Sequence, residues 1–147
     1  MAIVIKKEAL YFKSKMQHTS SKTILLIDDD ESILQIVEVC LESFSNWRPT
    51  SVTCAKEGLA AIGINPPDAI LLDMMMPKMD GFTFLKNLQS DPRLAHIPVV
   101  LLTARADLIE AKKVRQMGIK GAIVKPFHPI KLVPEIAKIL DWQLQSS

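Results

Sequence analysis

The sequence is poor in the features that mark several large classes of protein. Its two cysteines, Cys40 and Cys54, have no metal-ligand spacing and each lies among apolar neighbours. That argues against a disulfide scaffold or a zinc site, and for small buried side chains in a reduced compartment. Long apolar runs are missing too. No stretch approaches a membrane span, and AIVI (2–5) ahead of Lys6-Lys7-Glu8 is too short for a signal-peptide core. A cytoplasmic location is therefore the expectation. Nor is there a useful basic surplus. The formal net charge is +2 over 147 residues, but residues 1–22 carry five lysines against one glutamate, which leaves the remainder slightly acidic. The composition is thus no nucleic-acid signal. His18, His96 and His128 lack partners at useful spacing and read as structural or solvent-facing. There is no internal repeat and no sign of a second domain.

What the chain does have is regular alternation. Residues 1–21 read as a flexible leader, with Met16 an alternative start; residues 22–141 form one domain, and 142–147 a tail. TILLI (23–27), SVTCA (51–55), DAILLD (68–73), IPVVLLT (97–103) and GAIVK (121–125) are apolar, strand-like runs. Between and after them come helical signals: Ser32 to Phe44 with apolar positions 33, 36, 37, 40, 41 and 44, then 55–62, 81–89, 108–117 and 130–140. Strict alternation of five strands and five helices implies an α/β fold: a doubly wound parallel sheet in the order 2-1-3-4-5, covered on both faces, flavodoxin-like.

In such sheets the functional crevice lies beyond the carboxyl ends of the strands. Those ends carry Asp28-Asp29-Asp30, Asp73, Thr103 and Lys125. The first and third strands are neighbours at the switch point, so Asp28, Asp29 and Asp73 crowd one pocket. Two carboxylates about 4 Å apart repel by roughly 4 kcal/mol at an effective dielectric near 20. The cluster calls for a cation or for protonation of some members. A hard divalent ion such as Mg²⁺ suits it. With an ammonium (Lys125) and a hydroxyl (Thr103) nearby, the set matches what a transferring phosphoryl group needs. Asp73, alone at its strand end, is the best nucleophile. Asp30 and Glu31 read as a helix start, as does Asp80-Gly81. Met76 reads as packing filler, and Met75 offers only its backbone.

LLIDDDES, LLDMMMPKMDG, LLTA and KPF, in this order and at these strand ends, resemble the receiver domains of bacterial response regulators, in particular stand-alone receivers of the chemotaxis-regulator type. The likeness covers about Lys22 to Leu140. It implies that Asp73 is phosphorylated by a histidine kinase or phosphotransfer protein. It implies that Asp29 and Asp73 ligate Mg²⁺, with the Met75 carbonyl as a third protein ligand and Asp28 acting through water. Thr103 would hydrogen-bond the phosphoryl group and Lys125 would pair with it; the peptide before Pro126 is usually cis in the family. Output would pass through about Asp107 to Leu140, by protein contact or onward relay, with neither nucleic acid nor membrane as a direct partner.

One departure bears on the switch. The family commonly carries an aromatic three residues before the lysine, and here that residue is Ala122. Signalling is then expected to use shifts around Ala104 to Leu108. Two rival readings follow. One is a phosphorylation-independent interaction module of the same fold. The other is a phosphohydrolase, disfavoured because the usual second acid, two residues after the nucleophile, is Met75 here.

Overall fold

Alternate residues of each inner strand serve opposite faces of the sheet, so one apolar run feeds two cores. The computed structural model describes residues 21–76, 81–104 and 115–144. Its strands are β1 (Thr23–Ile27), β2 (Arg48–Val52), β3 (Ala69–Leu72), β4 (Val99–Thr103) and β5 (Ile119–Val124). The helices among the described residues are α1 (Glu31–Phe44), α2 (Ala55–Ile64), α3 (Gly81–Ser90) and α4 (Pro129–Leu140). The helix expected over 108–117 falls largely outside the described residues, as do the 1–20 part of the leader and Asp80.

All strands pair in parallel, in the order β2-β1-β3-β4-β5. Ile24, Leu26, Leu71, Val100, Leu102 and Ile123 face α1 and α4, where Val37, Leu41, Leu132, Val133 and Ile136 cover them. Leu25, Ile27, Ile70, Leu72, Val99 and Leu101 face the other way, against Ile62 of α2 and Phe84, Leu85 and Leu88 of α3. Burying a side chain of this size contributes about 1.5–3 kcal/mol, so each inner strand anchors both layers. Met74 and Met76 join the second core.

Several local features differ from what the periodicity suggests. β2 runs over Arg48–Val52 rather than 51–55, paired from Thr23↔Arg48 to Ile27↔Val52. Pro49 is tolerated because β2 lies at the sheet edge. Cys54 does not continue the strand and is only half-buried: its Sγ accepts the Glu57 N–H and caps α2. Ile36 and Phe44, expected on the packed stripe of α1, are exposed, because Leu34, Val37, Cys40 and Leu41 alone suffice to meet the sheet and α4. His96 and His128 are exposed, and His128 caps α4 through Nδ1. No helix among the described residues is long and apolar enough to cross a membrane.

The end of α4 closes on the start of the domain. Asp141 is left-handed (φ 55°), its N–H meets the Lys138 carbonyl at 3.4 Å and the Trp142 N–H meets the Ala137 carbonyl at 2.9 Å. This Schellman turn swings Trp142 back onto Trp47, the rings edge-to-face with centroids 5.1 Å apart. The Lys22 ammonium lies 5.5 Å from the Trp142 ring centre. The ring pair contributes about 0.5–1.5 kcal/mol beyond the area it buries.

Close approach is required at Gly121, where β5 meets α4. A Cβ there would come within 2.8 Å of Ile139 Cγ2 and 3.0 Å of its Cγ1. Gly121→Val should therefore destabilise the protein by about 1–3 kcal/mol in urea unfolding. Adding Ile139→Ala should recover part of that loss; additive losses would contradict the packing described.

Candidate functional site

Four segments deliver the polar residues of the crevice, and backbone hydrogen bonds fix each one. The Asp28 N–H donates to the Val52 carbonyl at 3.3 Å, which holds the end of β1 on β2. The Asp73 N–H donates to the Ile27 carbonyl at 2.9 Å, carrying the β1–β3 ladder one residue past β3. The Lys125 N–H donates to the Thr103 carbonyl at 2.8 Å, tying β5 to the end of β4. The Lys125–Pro126 peptide is cis. The sequence-predicted residues Asp28, Asp29, Asp73, Thr103 and Lys125 thus converge at the carboxyl edge of the sheet.

Asp28, Asp73 and Thr103 are the buried polar or charged residues among those described, with Asp73 only 6% exposed. The crevice beneath Asp28 and Asp73 is lined by Leu26, Leu34, Val37, Leu71 and Leu102, so both carboxyls rest on an apolar floor. Asp29 is exposed at the rim. Met75, two residues past Asp73, turns its side chain outward (56% exposed), leaving its backbone toward the site.

The two buried carboxyls are held in the same way. Asp28 Oδ1 accepts the Asp30 N–H at 2.9 Å, and Asp73 Oδ1 accepts the Met75 N–H at 3.2 Å. In each case a backbone donor two residues on takes one oxygen, and Oδ2 turns to Lys125. The Lys125 ammonium is 2.6 Å from Asp28 Oδ2 and 3.8 Å from Asp73 Oδ2. The lysine is therefore hydrogen-bonded to Asp28, with Asp73 a second, longer partner.

One ammonium does not neutralise three carboxylates. Burial pushes the Asp73 carboxyl from an ordinary value of 3.8 up to about 6, against the lowering effect of the Met75 N–H; the Asp28 charge raises it further, Lys125 lowers it, and Asp29 raises it. One oxygen from each of Asp28, Asp29 and Asp73 lies within 4.8 Å of the others. Octahedral Mg²⁺ with oxygens at about 2.0–2.1 Å spans ligand pairs up to roughly 4.2 Å, so the cluster needs only small side-chain adjustments to hold it. All three are hard oxygen donors, and the fit is good.

Comparison with known proteins gives the family. The response regulator receiver domain pattern matches residues 24–137, and the chain belongs to that family. It is 31% identical over 125 residues to the response regulator Rre1 of Synechocystis, covering 85% of this chain and 54% of that protein. It is 35% identical over 127 residues to the response regulator PleD of Caulobacter vibrioides, covering 84% of this chain and 27% of PleD. The chain thus spans about half, or less, of the curated relatives it matches. Among solved structures, the chemotaxis response regulator CheY4 of Vibrio cholerae superposes with a TM-score of 0.74 at 27% identity, covering 82% of this chain and 99% of that one. Receiver domains are signalling modules of two-component systems, phosphorylatable by histidine kinases or phosphotransfer proteins, and bind Mg²⁺ at an acidic pocket.

The raised pKa of Asp73 has a consequence for stability. Between about pH 4 and 6 the folded chain binds more protons at this site than the unfolded chain, so the site's contribution falls as pH rises through 6. At neutral pH the ionised Asp73 destabilises the fold. Asp73→Asn should raise unfolding stability at pH 7.5 by on the order of 2 kcal/mol, with the gap closing toward pH 4.5. Urea unfolding of both proteins at the two pH values measures it; equal stability at pH 7.5 would contradict the raised value.

Proposed function

We propose that this receiver accepts one phosphoryl group on Asp73 from a histidine kinase or phosphotransfer protein. The observation that carries the reading is the buried Asp73 carboxyl with Asp28 and Asp29 within 4.8 Å and the Lys125 ammonium 3.8 Å from it. In the transfer, an Asp73 oxygen forms a bond to phosphorus while the phosphorus–nitrogen bond of a phosphohistidine breaks, and the departing imidazole nitrogen takes up a proton. Asp73 must be ionised to attack. Near pH 6 without a cation only part of the population is competent.

Asp29, Asp73 and the Met75 carbonyl would hold Mg²⁺, with Asp28 acting through water. When bound, the ion supplies positive charge that lowers carboxylate repulsion and offsets charge on the phosphoryl oxygens. Asp28 suits an indirect role, since its oxygens already accept from the Asp30 N–H and Lys125. Lys125, 3.8 Å from Asp73 Oδ2, would pair with a phosphoryl oxygen carried there. Thr103, at the end of β4 next to Lys125, would donate its hydroxyl to the same group. Met75, lacking a carboxyl, provides no acid for rapid turnover, which fits a signalling acceptor rather than a phosphohydrolase. The phosphorylated protein would act on a downstream protein target or pass the group on. Ala122 is partly buried against Leu101 and its neighbours rather than forming an aromatic relay, so output would use shifts around Ala104 to Leu108, of which residues 105–108 lie outside the described residues.

Acetyl phosphate with Mg²⁺ should add the mass of one phosphoryl group. Asp73→Asn should abolish the addition, and Thr103→Ala should slow it roughly ten- to hundred-fold. Unchanged modification of Asp73→Asn would refute the assignment. Equal capture of the partner by wild type and Asp73→Asn would favour a phosphorylation-independent module.

A further inference from the structure

We infer that Asp30 is a positioning residue for Asp28, and through it for the metal-binding carboxylates; this rests on the phospho-acceptor reading of the site. In the run Asp28-Asp29-Asp30 the third acid is exposed, and its side chain bonds to the first turn of α1. Its Oδ1 accepts the Ser32 N–H at 2.9 Å, the Ser32 hydroxyl at 2.7 Å and the Ile33 N–H at 3.4 Å, which caps α1. Such a cap fixes the backbone of its own residue, here at φ −90° and ψ 103°. The same residue's N–H is the donor to Asp28 Oδ1 at 2.9 Å.

Two links therefore act in series. The first turn of α1 holds the Asp30 side chain, and the Asp30 backbone holds one oxygen of Asp28. With Oδ1 committed, Oδ2 is directed at Lys125. Loss of the cap lets the turn fray and the Asp30 N–H drift. Asp28 is then free to rotate, Lys125 loses its fixed partner, and the three carboxylates lose their common alignment. The device depends on an acceptor at position 30, not on its charge. Asparagine caps a helix as well as aspartate does; alanine does not.

The test uses the full chain and three proteins: wild type, Asp30→Asn and Asp30→Ala. Calorimetric titration with Mg²⁺ should show affinity weakened about ten-fold in Asp30→Ala. In Asp30→Asn it should stay within about two-fold of wild type. In metal-free protein at fixed pH, the side-chain carboxyl ¹³C resonance of Asp28 should move in Asp30→Ala and stay in place in Asp30→Asn. Circular dichroism below each unfolding midpoint ensures that folded molecules are compared. If Asp30→Ala lowers only the unfolding midpoint, leaving Mg²⁺ affinity and the Asp28 resonance unchanged, Asp30 is a helix cap and nothing more. If Asp30→Asn weakens Mg²⁺ as much as Asp30→Ala, charge and not alignment is at work, and the inference fails. Absence of Mg²⁺ uptake by the wild type would overturn the phospho-acceptor reading, while the Asp28 resonance would still decide the link between residues 30 and 28.

Discussion

The short ion pair between Lys125 and Asp28 is the contact on which the crevice depends. Parallel pairing of β1 with β3 places Asp28 and Asp73 side by side over an apolar floor, so their repulsion is built in by the fold. A lysine delivered from β5, across β4, partly offsets it. Because β5 pairs only with β4 among the described residues, the counter-charge and the acids it serves lie on opposite sides of a strand that ends in Thr103. Any change in the charge on Asp73 must therefore be felt at the β4–β5 edge, where Lys125 and Thr103 share a backbone hydrogen bond.

The incomplete neutralisation suits the proposed role of Asp73 as phospho-acceptor. Fully paired, such a carboxylate would be a poor nucleophile; unpaired and buried, it would remain protonated. Desolvation together with one distant ammonium leaves Asp73 between these limits. The Met75 N–H assists by favouring the ionised form while leaving the outward side chain of Met75 out of the crevice.

Much of this was legible in the sequence because inner strands of a doubly wound sheet are nearly continuous apolar runs, and a charge at the end of such a run stands out. TILLI before Asp28 and AILL before Asp73 carry that signal directly. Other features are silent for physical reasons. Arg48-Pro49 does not look like a strand, yet an edge strand tolerates both. Ile36 and Phe44 match the helical period but lie off the arc that α1 presents to the sheet and α4. Cys54 and His128 are unusual caps, so residue type alone does not mark them. The family resemblance implies a phosphoryl partner for Lys125; that Asp28 is its nearest partner emerges only from three-dimensional distances, as does the tie from Ser32 through Asp30 to Asp28.

The Lys22, Trp47 and Trp142 cluster gathers the start of β1, the turn before β2 and the exit from α4 at the amino-terminal edge of the sheet. The carboxylates occupy the reverse edge. Lys22 and Trp142 are therefore near neighbours on the side of the sheet remote from the crevice. Indole emission from the same cluster would then report how the start of β1 and the exit from α4 are clasped, with little direct influence from the carboxylate edge.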